Sequence, residues 1–179
     1  MKKWMIYVLA MALLLTGCAS SAPYLQEQSA PRTDGGTVPP RETVAQQLCP
    51  PQLRLLCDGK TQDAHLGTYS WMVTNEDGTG RGINADSVHP LGAKQWLDPF
   101  RVSFGTLTLA FDEEPRELTV RCWADTQWGK VGTEPVEVAV TDGCIALQPG
   151  GWIYEAVAGW DGSSGSGTAY YSFYVQYEA

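Results

Sequence analysis

The sequence has little of what nucleic-acid-binding proteins and most metalloenzymes require. Its 179 residues include 2 His, and 12 Lys and Arg stand against 20 Asp and Glu, for a formal net charge of -8. Such an acidic chain lacks the concentrated basic surface that nucleic acid needs. Few histidines and no sustained heptad pattern exclude most metalloenzymes and coiled coils. We therefore expect no nucleic-acid partner.

The chain also lacks an apolar run long enough for a permanent membrane span near its start. Lys2 and Lys3 precede an apolar run of 12 residues, from Trp4 to Leu15. A helix that crosses the hydrocarbon core needs about 20 residues. The run and its basic flank therefore predict an export signal that is removed from the mature protein.

The residues that end this run, Leu15-Thr16-Gly17-Cys18, resemble the lipobox of bacterial lipoprotein precursors. The resemblance implies that a diacylglyceryl group is attached to the Cys18 sulfur and that the signal is cut just before Cys18. The new amine is often acylated as well, for example with palmitate, and two or more chains anchor a protein stably. We expect a lipid anchor on the extracytoplasmic side of the cell membrane. The alternative is a secretory signal cut after Ala22, which leaves no lipid.

Composition divides the chain into three parts. Residues 19–40 are rich in Pro, Gly and Ser and contain too little apolar surface to offset the entropy of ordering them. We predict a signal peptide at residues 1–17, a lipidated flexible tether at 18–49 and a single folded domain at 50–179.

The apolar residues of the third part recur at every second position. Leu53, Leu55 and Cys57 begin this pattern, which returns over residues 106–111 and 118–123. Turn-forming residues recur at intervals of about ten, and helical periodicity is almost absent. The pattern predicts an all-β sandwich, with a short helix over 91–96 as the one possible exception.

The last strands resemble the closing strand pair of bacterial immunoglobulin-like domains. Gly151-Trp152-Ile153-Tyr154 opens one strand, and the next contains Tyr171-Ser172-Phe173-Tyr174-Val175. The resemblance implies an immunoglobulin-like antiparallel sandwich of about seven to nine strands, with Tyr154 at the position of the tyrosine corner. Residues 67–71 and 85–91 are also similar to segments of uncharacterised lipoproteins of Firmicutes. That similarity implies a fold and a compartment and brings no activity with it.

Four cysteines remain once Cys18 is lipidated, and they are Cys49, Cys57, Cys122 and Cys144. Outside the cytoplasm an even number favours disulfides but leaves their pairing open. Cys122 with Cys144 is the preferred pair because both lie in one stretch of consecutive strands. The alternative is that buried thiols act as small apolar side chains. No Cys-x-x-Cys pair is present, so we expect no metal site.

No catalytic or cofactor motif is assembled in the sequence. There is no Gly-x-Ser-x-Gly elbow, and the Gly-rich segment 161–167 lacks the Lys and the helix of a phosphate loop. We therefore expect no cofactor. A pair of carboxylates for hydrolysis is set in three dimensions and stays open.

The tryptophans are the candidate ligand contacts. Trp123 lies on the outward parity of its strand, Trp128 in a loop, and Trp160 at a strand end beside Asp161, while Trp96 lies on the possible helix. An exposed indole near acids can stack on a sugar ring or accept a cation. The alternative is that these rings cover the open ends of the sandwich.

Taken together, these features predict a non-catalytic binding or interaction module held at the cell envelope by its lipid. An envelope protein, a peptide or a glycan is the expected ligand. The alternatives are a small envelope hydrolase that uses paired carboxylates and a module that resembles a protease inhibitor.

Overall fold

The computed structural model describes residues 48–75, 77–163 and 165–178. The predicted signal peptide, Cys18 and nearly all of the predicted tether lie outside them. The described residues form twelve β-strands in two sheets and contain no α-helix. This confirms the predicted all-β sandwich. None of the described helical turns is long and apolar enough to cross a membrane.

The first sheet has five strands in the order β2-β1-β6-β10-β9. All of its strand pairs are antiparallel. Its strands are β1 (Leu53–Cys57), β2 (Lys60–Asp63), β6 (Thr106–Phe111), β9 (Val140–Thr141) and β10 (Cys144–Ala146).

The second sheet has seven strands, six of them in the order β4-β3-β12-β11-β7-β8, and β5 pairs with β12. Its strands are β3 (His65–Thr74), β4 (Gly80–Ala85), β5 (Pro99–Val102), β7 (Glu117–Ala124), β8 (Val136–Val138), β11 (Gly150–Asp161) and β12 (Ser166–Tyr177). The strand count exceeds the predicted seven to nine because β8, β9 and β10 have only two or three residues each. An alternating pattern cannot be recognised over so short a length.

One edge of β12 is shared by two strands of opposite direction. Residues Ser166–Ser172 pair with β3 in the antiparallel sense, and Tyr174–Tyr177 pair with β5 in the parallel sense. The parallel pair departs from the expected antiparallel sandwich. Between the two partners, at Phe173, the edge of β12 is open.

The main apolar core lies between the sheets. The inward residues of β1 and β6 meet large aromatic side chains of the second sheet, among which Tyr154, Tyr171 and Phe173 are at most 1% exposed. Trp71 and Trp160 contact edge to face, with 5.7 Å between ring centroids. The alternation seen in the sequence therefore marks the buried faces correctly. Burial raises the pKa of the Tyr154 hydroxyl. The tyrosine corner at Tyr154 stays a prediction.

A second apolar cluster covers the outer face of the second sheet, the face turned away from the first sheet. It contains Leu91, Ala93, Leu97, Trp123, Ile153 and Tyr174. Leu91, Ala93 and Leu97 belong to a segment with two 3-10 turns, Pro90–Gly92 and Lys94–Trp96. The sequence suggested a short helix over 91–96 at this place. We call residues 86–98 the crossing segment.

Candidate functional site

Two of the four predicted ligand contacts are buried. Trp123 is 2% exposed and Trp160 is 5% exposed. Trp123 Nε1 donates to Thr133 O at 2.9 Å, and Trp160 Nε1 donates to Glu113 O at 3.0 Å. The prediction is therefore wrong for both rings. The outward parity of Trp123 is correct, but the crossing segment lies over that face.

The other two predicted contacts remain accessible but are already engaged. Trp128 is half-buried, with its ring centroid 5.5 Å from that of Tyr174 and 6.0 Å from Lys94 Nζ. Asp161 is exposed and accepts from Arg116 Nη1 at 2.8 Å. Trp123 and Trp128 contact the same cluster, whereas Trp160 belongs to the core between the sheets. The structure does not bring the four predicted residues into one site.

All four described cysteines are free thiols. Cys122 is 1% exposed and packs in the core between the sheets. Cys144 lies directly opposite Thr108 on the outer face of the first sheet, and its Sγ is 3.5 Å from Thr108 Oγ1. The two sulfurs thus point to opposite sides of the first sheet, which does not support the predicted Cys122–Cys144 bridge. Alternation within one strand cannot reveal which sheet the strand joins.

A groove lies where the edge of β12 is open, and we call it the edge groove. It has a volume of about 240 Å³. Two separate segments line it, together with strand β12 at its floor. The lining residues are Gln62, Asp63, His65, Trp96, Leu97, Asp98, Ser172 and Phe173.

The local fold explains how these segments meet. The chain passes from the first sheet to the second at Ala64, whose N–H donates to Leu53 O at 2.9 Å, so Asp63 and His65 flank a corner. On the other side, Leu97 is 6% exposed and fixes the end of the crossing segment. Gln62 Nε2 donates to Asp98 O at 3.1 Å and ties the two sides together.

A histidine caps the first 3-10 turn of the crossing segment. His89 Nδ1 accepts a hydrogen bond from Leu91 N at 3.2 Å, and the His89 ring meets that of Trp123 edge to face at 5.2 Å. Burial lowers the pKa of His89 below its ordinary value of 6.5; the Arg121 charge acts in the same direction and the Glu155 charge opposes it. The cap therefore uses the neutral imidazole, which has a free acceptor nitrogen.

The edge groove combines an exposed indole with polar groups that have no partner. Trp96 is 50% exposed. The side chains of Asp63, Asp98 and His65 make no hydrogen bond or ion pair with any described residue. An indole face beside free carboxylates can hold a ligand by stacking and by hydrogen bonds. This arrangement makes the groove the best candidate site in the described part of the chain.

A row of polar residues runs from the groove across the outer face of the second sheet. Register places His65 opposite Ser172, Ser172 opposite Glu155, and Glu155 opposite Arg121. Glu155 Oε2 accepts from Arg121 Nε at 2.6 Å, so that carboxylate is neutralised by its neighbour. No hydrogen bond joins His65 to Ser172 among the described contacts, so the row does not form a nucleophile with its base.

Sequence analysis missed the groove because its residues come from distant segments. The available signal was local: in Trp96-Leu97-Asp98 the middle residue is apolar and buried, which turns its two neighbours outward. No sequence pattern links that segment to Asp63 or Ser172. Among the described residues, no group of three or more His, Cys, Asp or Glu is placed to hold a metal ion.

The fold and the groove define a β-sandwich domain with a polar, indole-bearing groove at a sheet edge. Comparisons of the chain with protein-family models, curated proteins and solved structures each found no match.

Proposed function

We propose that the protein is a lipid-anchored binding module that works on the extracytoplasmic side of the cell membrane. The edge groove is its ligand site. The observation that carries this proposal is the half-exposed Trp96 at a groove that His65 and Asp98 also line. Aromatic side chains are enriched at binding surfaces, and a neighbouring carboxylate can add a charge-assisted hydrogen bond to a ligand.

The anchor and the compartment rest on the sequence at Leu15-Thr16-Gly17-Cys18. Mass spectrometry of the mature protein tests them directly. We expect an acylated N-terminal Cys18, and a Cys18→Ala variant should be released from membranes. A mature protein without acyl groups would contradict the anchor and leave the groove unaffected.

Crosslinking in native membranes tests the groove. A photoreactive residue is introduced at Gln95, which is exposed next to Trp96, and the matched control carries it at Thr108 on the open face of the first sheet. We expect the Gln95 variant to capture an envelope protein, a peptide or a glycan that the Thr108 variant does not capture. Adding Trp96→Ala should abolish that capture. Equal capture from both positions would argue against the groove.

A small envelope hydrolase is a second candidate, because Asp63 and Asp98 line the same groove. Hydrolases of this type place one carboxyl group as acid and the other as base or nucleophile. If the protein cleaves an envelope polymer, Asp63→Asn and Asp98→Asn should each reduce the rate by at least about a hundredfold. If the protein shows no turnover, or if turnover survives both substitutions, the hydrolase is excluded and the binding function remains.

A further inference from the structure

Strand β4 is the longest edge strand in the described part of the chain. It has six residues, and its only described partner is β3, in a continuous register from Tyr69 opposite Ala85 to Thr74 opposite Gly80. Its other edge therefore presents unpaired backbone N–H and C=O groups to solvent. The strand contains no proline, no bulge and one charged residue, Arg81, so it has few of the features that prevent an edge from pairing.

The other described edge strands are shorter, and two of them are bridged by side chains. Strands β8 and β9 have three and two residues. Strands β2 and β5 have four residues each. Lys60 Nζ of β2 donates to Arg101 O at 2.9 Å, and Gln62 Nε2 donates to Asp98 O at 3.1 Å. Among the described residues, no side chain bonds to the backbone of β4 in this way. Its edge is therefore the one best suited to pair with a further strand.

One face of β4 has a gap above two glycines. A Cβ added at Gly80 would lie 3.6 Å from Met72 Sδ, and a Cβ added at Gly82 would lie 3.6 Å from Met72 Cε. The Met72 side chain thus lies along both glycines, yet it is 53% exposed. A thioether makes favourable contacts with aromatic rings, and a ring on a neighbouring strand can cover a glycine at a sheet edge. This face therefore fits an added strand that has an aromatic side chain opposite Gly82.

The opposite face of β4 carries an unpaired cation. Arg81 is exposed and forms no ion pair with a described residue. An acidic side chain directly opposite it on an added strand would form a cross-strand ion pair. A second copy of β4 does not fit these requirements, because the strand contains no acid and no aromatic residue and would bring a second Arg81 to the pair.

We propose that β4 binds an extended peptide segment of another protein as an added antiparallel strand, with an aromatic residue opposite Gly82 and an acidic residue opposite Arg81. Backbone hydrogen bonds supply most of the binding free energy, and the two side chains supply the preference for this partner. No residue of β4 lines the edge groove. The inference therefore goes beyond the proposed ligand site and adds a second binding surface.

A synthetic peptide and the full chain test the proposal. The probe is the hexapeptide Thr-Thr-Val-Tyr-Glu-Thr, capped at both ends, which in the antiparallel sense places its Tyr opposite Gly82 and its Glu opposite Arg81. Two control peptides have methyl groups on the backbone nitrogens of either the odd or the even positions. Because alternate residues of a strand direct their N–H groups to opposite edges, only one of these two peptides should lose binding. Calorimetric titration measures affinity, and hydrogen exchange locates the bound peptide.

We expect the outward amides of β4 to exchange at least about tenfold more slowly when the probe is bound. Replacing the Tyr of the probe by Ala should weaken binding about fivefold, and replacing its Glu by Gln about twofold.

Two variants of the protein locate these preferences. Gly82→Val fills the gap beside Met72 and should remove the preference for Tyr over Ala. Arg81→Gln should remove the preference for Glu over Gln. The matched controls are Gly132→Val, at a position with open space around it, and Lys130→Gln, which removes another exposed cation. Both controls should keep both preferences.

Four results would overturn this inference. The first is no binding of the probe. The second is equal binding of the two methylated peptides, which would mean that the probe does not bind as a strand. The third is that Gly82→Val and Arg81→Gln retain both preferences, which would place the peptide elsewhere. The fourth is slow exchange of the outward β4 amides without any peptide. Sedimentation would then distinguish a second copy, which gives a dimer, from another segment of the same chain, which leaves a monomer. Crosslinking from Gln95 reports separately on the edge groove.

Discussion

The outer faces of the two sheets are built very differently. On the first sheet, register aligns one row of residues across all five strands: Thr61, Leu56, Thr108, Cys144 and Thr141. Four of them are exposed, and no described segment of chain lies over them as a cover. On the second sheet the corresponding face carries Trp123 and Ile153, which are 2% and 0% exposed.

The difference shows how the candidate site arises. The first sheet leaves its outer face in solvent, so no other segment has to cover it. The second sheet buries both faces and therefore requires a covering segment on the outside. Leu97 anchors the end of that segment in the cluster, and its neighbours Trp96 and Asp98 lie at the open edge of β12. The groove is therefore a consequence of covering the second sheet.

The first prediction compares one residue from each outer face. Trp123→Ala should reduce the free energy of unfolding by about 3–5 kcal/mol, because a buried ring is lost from a packed cluster. Thr108→Ala, on the open face of the first sheet, should change it by no more than about 0.5 kcal/mol. Chemical denaturation measures both. Similar costs for the two variants would mean that the faces do not differ.

The second prediction compares two ion pairs. In the pair under the crossing segment, the Arg121 and Glu155 side chains are 39% and 6% exposed, whereas those of Arg116 and Asp161 are 71% and 72% exposed. Arg121→Met leaves a buried carboxylate without its partner and should cost about 3 kcal/mol. Arg116→Met should cost less than about 0.5 kcal/mol. Adding Glu155→Gln to Arg121→Met should recover part of the lost stability. If Arg121→Met alone costs no more than Arg116→Met, the two ion pairs do not differ as predicted.

Thiol labelling provides a third test, which compares the interior with the open face. Burial raises the pKa of Cys122 from 9.0 to about 11, and burial also raises the pKa of Cys57. Two pKa units correspond to about a hundredfold smaller thiolate fraction. We expect Cys144 to react with a thiol reagent at least about a hundred times faster than Cys122, as followed by mass spectrometry. If both react only after reduction, they form the disulfide that this structure lacks.

The smallest predicted effect concerns pH and the cap of the crossing segment. Because the pKa of His89 is lowered in the folded state, the unfolded chain binds its proton first as pH falls. The contribution of His89 to stability is therefore complete above about pH 6.5 and is lost as pH falls below it. The loss should approach about 1 kcal/mol, the usual value of a cap. Thermal unfolding between pH 5 and 8 measures it.

Asn at position 89 is the matched control for this effect, because its side-chain oxygen can accept from Leu91 N and does not titrate. His89→Asn should therefore remove the dependence on pH in this range while keeping most of the stability. A wild-type protein that is equally stable at pH 5.5 and 7.5 would rule out the cap as a titrating group.

How much of the fold was visible in the sequence depends on the length of the element. Alternation over Leu53–Cys57 and Thr106–Phe111 predicted strands and their buried faces, because five or six residues are enough to show a period of two. The pattern at Trp123 also gave the correct parity. Alternation shows only the face of the strand to which a side chain points. It could not show that Trp123 is buried, because the segment that covers this ring lies about 30 residues earlier in the sequence.

The candidate site was less predictable than the fold. Asp63, Trp96 and Ser172 line one groove only because β12 has β3 on one part of its edge and β5 on the next. This pairing joins residues far apart in the chain, and no local pattern encodes it. Trp128 and Asp161 were recognisable as accessible residues, but their partners Tyr174 and Arg116 were not.

The position of β12 also constrains when the domain can fold. This is the last of the described strands, ending at Tyr177, yet it lies between β3 and β11 and also pairs with β5. The second sheet therefore cannot close before β12 is available to pair with β3, β5 and β11. Pairings between such distant segments form slowly because a large loop must close first. Closure of the second sheet is therefore expected to be a late step in the folding of this domain.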